Sequence, residues 1–184
     1  TAFWLPPWAA YGEDDLKNIN GRNRDYLLTA WYRRVLWAGD GGELALTGGI
    51  IDGTHYLDEN AFANDEFSQF MNAALVNGPN FLAPSYDIGG VLAYDRGPWA
   101  LRGVVMEVGE NEEGRMFRYY GIQAGYRVRF PIGTGNYRLG LHDTDEAFEA
   151  VDGSGLVAKR GVHVSVDQEV GGVLGAWVRV GTQD

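Results

Sequence analysis

Hydrophobic and polar residues alternate along much of the chain with a period of two, the spacing that sends successive side chains to opposite faces of a strand. From Tyr86 to Asp95, Tyr86, Ile88, Gly90, Leu92 and Tyr94 fall on one face, and Asp87, Gly89, Val91, Ala93 and Asp95 on the other. The longest such run is Arg118 to Phe130. There Tyr120, Ile122, Ala124, Tyr126, Val128 and Phe130 share one face, and Tyr119, Gly121, Gln123, Gly125, Arg127 and Arg129 the other. A run of this length exceeds the usual strand of about 5–6 residues and suits a tilted strand crossing a bilayer, which needs about 9–11. Near the C-terminus Val162, Val164 and Val166 alternate with His163, Ser165 and Asp167. After Gly171-Gly172, Leu174, Ala176, Val178 and Val180 alternate with Gly175, Trp177, Arg179 and Gly181. Gly-Gly between two such runs signals a hairpin. Pro98 to Gly109 is apolar on both faces apart from Arg102 and Glu107, so alternation leaves its facing open. Arg96-Gly97-Pro98 reads as a tight turn before it, and Asn111-Glu112-Glu113-Gly114 as a polar turn after it. With Tyr26–Trp37, Glu43–Asp52 and Asn136–His142 as further candidates, the pattern predicts eight or nine strands, many in consecutive hairpins.

One stretch departs from the pattern. Asp58-Glu59-Asn60 is followed by Phe62, Phe70, Met71, Ala74 and Leu75 at partly helical spacing. This predicts a short helix or folded loop around residues 58–65, with Asp58 as its cap, and then a strand from about Glu66 to Val76.

Composition sharpens the reading. The 184 residues contain 27 glycines, about twice the typical share, which depresses helix content. Hydrophobic residues make up 45%, which excludes global disorder. There are no cysteines, and the three histidines are widely spaced, so neither a disulfide framework nor a thiolate or multi-histidine metal site is expected. The net charge of −10 disfavours nonspecific nucleic-acid binding. No apolar run reaches the ~18 residues of a spanning helix, and the first residues lack the basic and apolar regions of a signal peptide. The chain is therefore expected to be all-β and a single domain over 1–184.

Two architectures fit long alternating hairpins. A soluble barrel or sandwich buries the apolar face. A transmembrane antiparallel β-barrel turns it to lipid, encloses the polar face around a wet lumen and rings the interfaces with aromatics. Three features favour the second: the strand lengths, the aromatics at strand ends (Tyr86, Tyr94, Tyr120, Phe130, Tyr137), and a polar face rich in Gly and Arg, with lysine only at Lys17 and Lys159.

The stretch Leu44–Pro79 resembles the carbohydrate-selective porins of Gram-negative outer membranes. The likeness is carried by Gly48-Gly49-Ile50-Ile51-Asp52, Tyr56, Asp58-Glu59-Asn60 and Gln69-Phe70-Met71-Asn72. Tyr126–Thr144 and Val164–Gly181, the latter with Asp167-Gln168-Glu169, a glycine turn, an aromatic and an arginine, also resemble that family's paired strands; the likeness covers about residues 26–182. It implies a passive sugar channel in the bacterial outer membrane, built on a 16-stranded up-and-down barrel with inward-folded loops. Family members are roughly twice this length, and the chain ends Gly181-Thr182-Gln183-Asp184 where such barrels usually close on a terminal aromatic. The expectation is therefore an incomplete barrel, with a small 8- or 10-stranded barrel as the alternative.

A sugar channel needs contacts strong enough to admit a solute and weak enough to release it. Arginine, with five fixed donors, suits vicinal hydroxyls. The pore-lining candidates are Arg127 and Arg129 on the polar face of the long run, together with Asp87, Asp95, Arg102, Glu107, Arg138, His163, Asp167, Trp177 and Arg179. Asp58, Asn60, Asn64 and Gln69 join them as contacts on an inward loop within Asp52–Asn72. Arg118 has the other parity. The Arg and Asp residues equally suit a salt-bridge network supporting the wall, the tyrosines an interfacial girdle, and Asp58-Glu59-Asn60 a calcium-binding turn. Asp143-Thr144-Asp145-Glu146 and residues 149–155 read as surface loop. No nucleophile elbow or phosphate loop is present, and neither catalysis nor a cofactor is expected. The expected partners are membrane lipid, lipopolysaccharide, small sugars, and further copies or other outer-membrane subunits. The rivals are an outer-membrane barrel of another role, such as a general or anion porin or a structural barrel, a soluble carbohydrate-binding β-sandwich, and a glycoside-active enzyme with two converging carboxylates.

Overall fold

The computed structural model describes residues 29–65, 68–70, 73–78, 83–110, 116–149, 153 and 155–183. They form an all-β structure. Eight strands make one antiparallel sheet: β1 (Ala30–Gly39), β2 (Gly42–Ile51), β3 (Asp87–Arg96), β4 (Trp99–Glu110), β5 (Met116–Phe130), β6 (Gly133–Thr144), β9 (Gly161–Val170) and β10 (Leu174–Gln183). Neighbours in sequence are neighbours in the sheet, except that a small hairpin of β7 (Ala147–Glu149) and β8 (Leu156–Ala158) stands out between β6 and β9. β1 and β10 are the two ends of the sheet, and among the described residues they do not pair with each other.

The connections differ at the two ends of the strands. At one end they are tight: Asp40-Gly41, Gly97-Pro98, Pro131-Ile132 and Gly171–Val173. Asp40 and Gly41 take φ of 49° and 71°, the two left-handed residues that a type I′ hairpin turn demands and that Asp-Gly supplies. At the other end they are long, spanning residues 52–86, 111–115 and 145–160.

Alternation divides the sheet into two faces. On one, Leu101, Tyr120, Ile122, Tyr126, Leu139, Leu141, Val162 and Val164 are exposed. Cross-strand register places Trp99, Tyr126 and Tyr137 side by side near the tight turns, with the Trp99 and Tyr126 ring centroids 4.5 Å apart. The other face is covered by the segment after β2. Ile51 and Leu57 close over Val91, Val104, Met106, Val108 and Tyr119 to make a small apolar core. β4, whose facing alternation left open, sends Arg102, Val104, Met106 and Val108 to this covered face and Trp99, Leu101, Val105 and Glu107 to the exposed one.

Several local expectations are corrected. Among the described residues of 66–76 the predicted strand is not formed: Gln69 and Phe70 donate to the Asp65 carbonyl and the Ser68 amide to its carboxylate, which turns the chain. A short helix α1 (Ala73–Val76) follows, where Ala-Ala-Leu suits a helix. Asp58 caps no helix. The cap belongs to Asp52, which accepts from Thr54 at the 3₁₀ turn Gly53–His55, while Asp58 sits at φ 62° within a loop. The acidic stretch after Leu141 is not wholly loop: Asp143 and Thr144 end β6, and Phe148 in β7 packs edge-on to Phe117 at 4.8 Å. Tyr26, Leu27 and Leu28 of the first predicted strand lie outside the described residues, as do residues 111–114 of the predicted polar turn.

Leu57 is fully buried against the wall, in a socket made by Gly121 where any Cβ would overlap its Cδ1. Leu57→Ala is expected to cost about 2–5 kcal/mol, measured as a shift in the denaturant midpoint.

Candidate functional site

Residues 56–61 lie flat on the covered face and have no ladder partners of their own, so side chains of the wall satisfy them. The Gln123 carboxamide of β5 does so with both ends. Its oxygen accepts from the Asp58 amide at 2.8 Å, and its nitrogen donates to Glu59 Oε2 at 2.8 Å and to the Tyr56 carbonyl at 3.4 Å. On β9, Ser165 Oγ donates to the Glu59 carbonyl at 3.1 Å and accepts from Asn60 Nδ2 at 3.2 Å, and Asp167 accepts from the Ala61 amide at 3.1 Å. On β10, Arg179 Nη2 donates to the Asp58 carbonyl at 2.7 Å, and its Nε lies 2.8 Å from Asp58 Oδ1. The other Asp58 oxygen accepts from the Gly78 amide.

Beneath the loop the wall is built from flat rings on glycine. Register pairs Gly140 with His163 and Gly161 with His142 across β6 and β9. Each imidazole covers its glycine so closely that a Cβ there would overlap the ring. Tyr119 stacks on His142 at 5.7 Å, and His163 Nε2 lies 3.8 Å from Asp58 Oδ1. Glycine at these two positions is what lets the rings lie down and the loop approach.

The structure brings many of the predicted site residues together, chiefly as anchors of this loop. Asp58, Asn60, Asp87, His163 and Asp167 are buried. Asp87 begins β3 beneath the loop and accepts from the Ile88 amide. Asp167 also binds Asn136 and Arg138, each at 2.5 Å. Asn64 and Gln69 stabilise the loop from within: Gln69 accepts from the Asn64 amide at 2.6 Å and donates to the Ala61 carbonyl at 3.0 Å. Trp177 packs on Phe70, centroids 5.0 Å apart. On the same face Arg102 pairs with Asp95 at 2.9 Å, and Arg127 and Arg129 are exposed, Arg127 donating to Asn136 at 3.1 Å. Glu107 does not join them. β4 turns it to the opposite, apolar face, in register with Arg118, because Arg102 and Glu107 are five residues apart and alternation separates odd spacings. Among the described residues no three or more His, Cys, Asp or Glu side chains are grouped to hold a metal ion.

Gln123 and Ser165 were not singled out by sequence reasoning. The available signal was a polar residue with a small neighbour on the inner parity, Gln123 after Gly121 and Ser165 between His163 and Asp167. A recess of about 880 Å³ lies on the exposed face, lined mainly by Leu46, Leu92, Val105, Ile122, Leu141 and Val162. Its lining is mainly apolar, with His142, Asp143, Arg160 and Thr182 at one side.

Burial pushes the Asp58 carboxyl up to about 6, against Arg179, the Gly78 amide and Arg138, which favour its charged form. Burial likewise raises Glu59, opposed by Arg102 and Arg138. A carboxyl that binds its proton more tightly in place than at its ordinary value of 3.8 favours the docked loop when protonated. That contribution is complete below the ordinary value and is lost as pH rises through about 6. Relative to Asp58→Asn, which cannot titrate, docking of the native loop is expected to strengthen as pH falls from 8 to 5. His163, Tyr119, Arg138 and Arg179 face Asp58 in both proteins, so the difference isolates the Asp58 proton together with its coupling to them. The rate of proteolytic cleavage within residues 52–65 at the two pH values measures it.

Over 81 residues the chain is 42% identical to a protein of Aquifex aeolicus (strain VF5) that carries the name "Uncharacterized protein"; the match takes in 44% of this chain. It spans 24%, about a quarter, of that relative's length. No family model and no solved structure matches the chain.

Proposed function

We propose that this chain is part of an outer-membrane β-barrel that acts as a passive channel for sugars or other small neutral polar solutes. The observation that carries the reading is the exposed apolar face of long strands, with Ile122 56% exposed and Tyr120 and Tyr126 each 40% exposed. A soluble carbohydrate-binding sandwich buries these residues against a second sheet, and soluble monomers rarely expose apolar patches beyond a few hundred Å². Between the Tyr120 and Tyr126 rows the belt runs about 20 Å along the strands at about 3.3 Å per residue, which is about 15 Å of height at the tilt of outer-membrane strands and fits within their ~25 Å apolar band. The Trp99–Tyr126–Tyr137 row suits one interfacial girdle. Beyond Tyr120, the ion pairs Arg118–Asp145 at 3.7 Å and Arg160–Asp143 at 3.0 Å suit the headgroup zone and its lipopolysaccharide at the other. Tight turns at one end and long connections at the other fit the periplasmic and outer sides.

On this reading the covered face is the lumen wall and residues 52–65 narrow the pore. The groups left open to a solute carry both signs: Arg127 and Arg129, and the Asp95–Arg102 pair. Arginine's fixed donors suit the vicinal hydroxyls of a neutral polyol; the set carries more positive than negative charge, so the anion porin is the rival that the bilayer test must separate. Closing the barrel requires strands to pair with β1 and β10, from the remainder of a longer chain or from another subunit.

Two measurements test this. The full-length gene product in a planar bilayer is expected to form discrete channels whose current falls saturably with a neutral sugar. Channels blocked by anions and indifferent to sugar favour an anion porin, and a detergent-free soluble protein without channels rejects the barrel. Ile122→Arg, in mid-belt, is expected to cost about 2–4 kcal/mol of folding free energy in lipid vesicles, whereas at an exposed site of a soluble sheet it stays within about 0.5 kcal/mol.

A further inference from the structure

We infer that the recess on the exposed face binds one acyl chain of a phosphorylated glycolipid of the lipopolysaccharide kind, with the lipid's head at Arg160 and Asp143. The inference rests on the barrel reading above and is independent of the solute. The recess follows a single ladder row of the sheet. That row runs from Thr182 on β10, across β9, through Leu141, Ile122, Gly103 and Leu92 to Leu46 on β2, and each of these residues lines it. It crosses six strand spacings, about 29 Å at ~4.8 Å each. A volume of about 880 Å³ spread over that length leaves a section of about 30 Å². Such a groove is too narrow to seat an α-helix, about 10–12 Å across with its side chains, and wide enough for a single hydrocarbon chain.

The groove is polar at one end only. Arg160 and Asp143 line it where residues 145–160 connect β6 to β9, with Arg160 Nε 3.0 Å from both Asp143 oxygens and the arginine side chain 66% exposed. At the other end Leu46 and Leu92 lie four residues from the tight-turn ends of β2 and β3. In a barrel whose strands tilt by about 35–45°, a ladder row descends about 3 Å per strand, so the groove leads from the headgroup zone down into the apolar band. The rim carries both signs, with Glu107 in register with Arg118 and Asp145 paired to it. A guanidinium takes a phosphate, and the carboxylate beside it accepts from a sugar hydroxyl or an amide. The rim thus fits a head that presents phosphate next to hydrogen-bond donors, and not a bare anion. Glycine hollows the middle. A Cβ at Gly103 would meet no atom within 4 Å, and one at Gly90 only the Thr47 carbonyl oxygen at 3.6 Å. Packing within the chain therefore demands glycine at neither position, and glycine weakens a strand interior. Its effect at both is to open the groove between Leu92, Val105 and Ile122.

The test is native mass spectrometry of the full-length gene product in detergent, titrated with lipid A and with its dephosphorylated form. The native protein is expected to bind lipid A saturably and to prefer it to the dephosphorylated form. Gly103→Leu fills the groove at an open position and is expected to weaken binding about tenfold, the loss of roughly two buried CH₂ groups. Gly90→Val serves the same end if that variant does not fold. Arg160→Gln is expected to retain binding and erase the preference for phosphate. Equal binding of the two lipids by the native protein, or unchanged binding in the groove-filling variants, marks an unselective lipid coat and overturns the inference with the barrel intact. A dimer that Gly103→Leu dissociates assigns the groove to a second copy and also overturns it. Selective lipid binding by a protein that forms no sugar-blocked channels upholds the inference and rejects only the solute. A native protein soluble without detergent rejects the barrel reading and the inference with it.

Discussion

A stretch of chain laid against a wall without strand or helix partners leaves its peptide groups to be satisfied by whatever it lies on. Residues 56–61 meet that condition through Gln123, Ser165, Asp167 and Arg179, drawn from three strands of the sheet. An unpaired buried amide costs about 1–3 kcal/mol, so the pairing specifies one position for the loop and penalises others. The polar residues of the covered face and the conformation of the loop are therefore one solution to one problem. Asp58 shows how far it goes: a non-glycine residue at φ 62°, with a buried carboxylate, persists because an arginine and two backbone contacts hold it there.

The glycines of the inward face make this approach possible. Gly121 receives Leu57, and Gly140 and Gly161 receive the His163 and His142 rings. A side chain at any of the three would lift the layer above it. The high glycine content thus has a local meaning on this face, separate from the left-handed glycines of the hairpin turns. The apolar core under Ile51 and Leu57 adds burial to the polar anchoring, at about 1.5–3 kcal/mol for each large side chain fully enclosed.

The two faces place different demands on one set of strands. One presents a continuous apolar surface edged by aromatics and ion pairs; the other carries a dense polar layer beneath a folded segment. Groups that look available on the covered face, such as Asp58 and Asp167, are already engaged in holding residues 56–61. Arg127 and Arg129 stay exposed on the same face, and Asp95 is half-exposed beside Arg102.

The strands, their hairpins and the apolar face of β3, β5, β9 and β10 were legible in the sequence, because a side-chain period of two is a local property that needs no knowledge of the partner strand. The Gly-Gly turn was legible for the same reason, since left-handed backbone selects glycine locally. The course of residues 56–78 was not. Its conformation answers to Gln123, Ser165 and Arg179, more than 60 positions away in three different strands, and local spacing suggested a cap and a strand where there is a turn and a short helix. The inward placement of Arg102 and the outward placement of Glu107 also waited on the sheet, because an apolar run on both sides carries no parity signal. The sequence by itself determined which residues can share a face. Only the tertiary structure decided which of them support the loop and which stay free, because that depends on long-range contacts that no local pattern encodes.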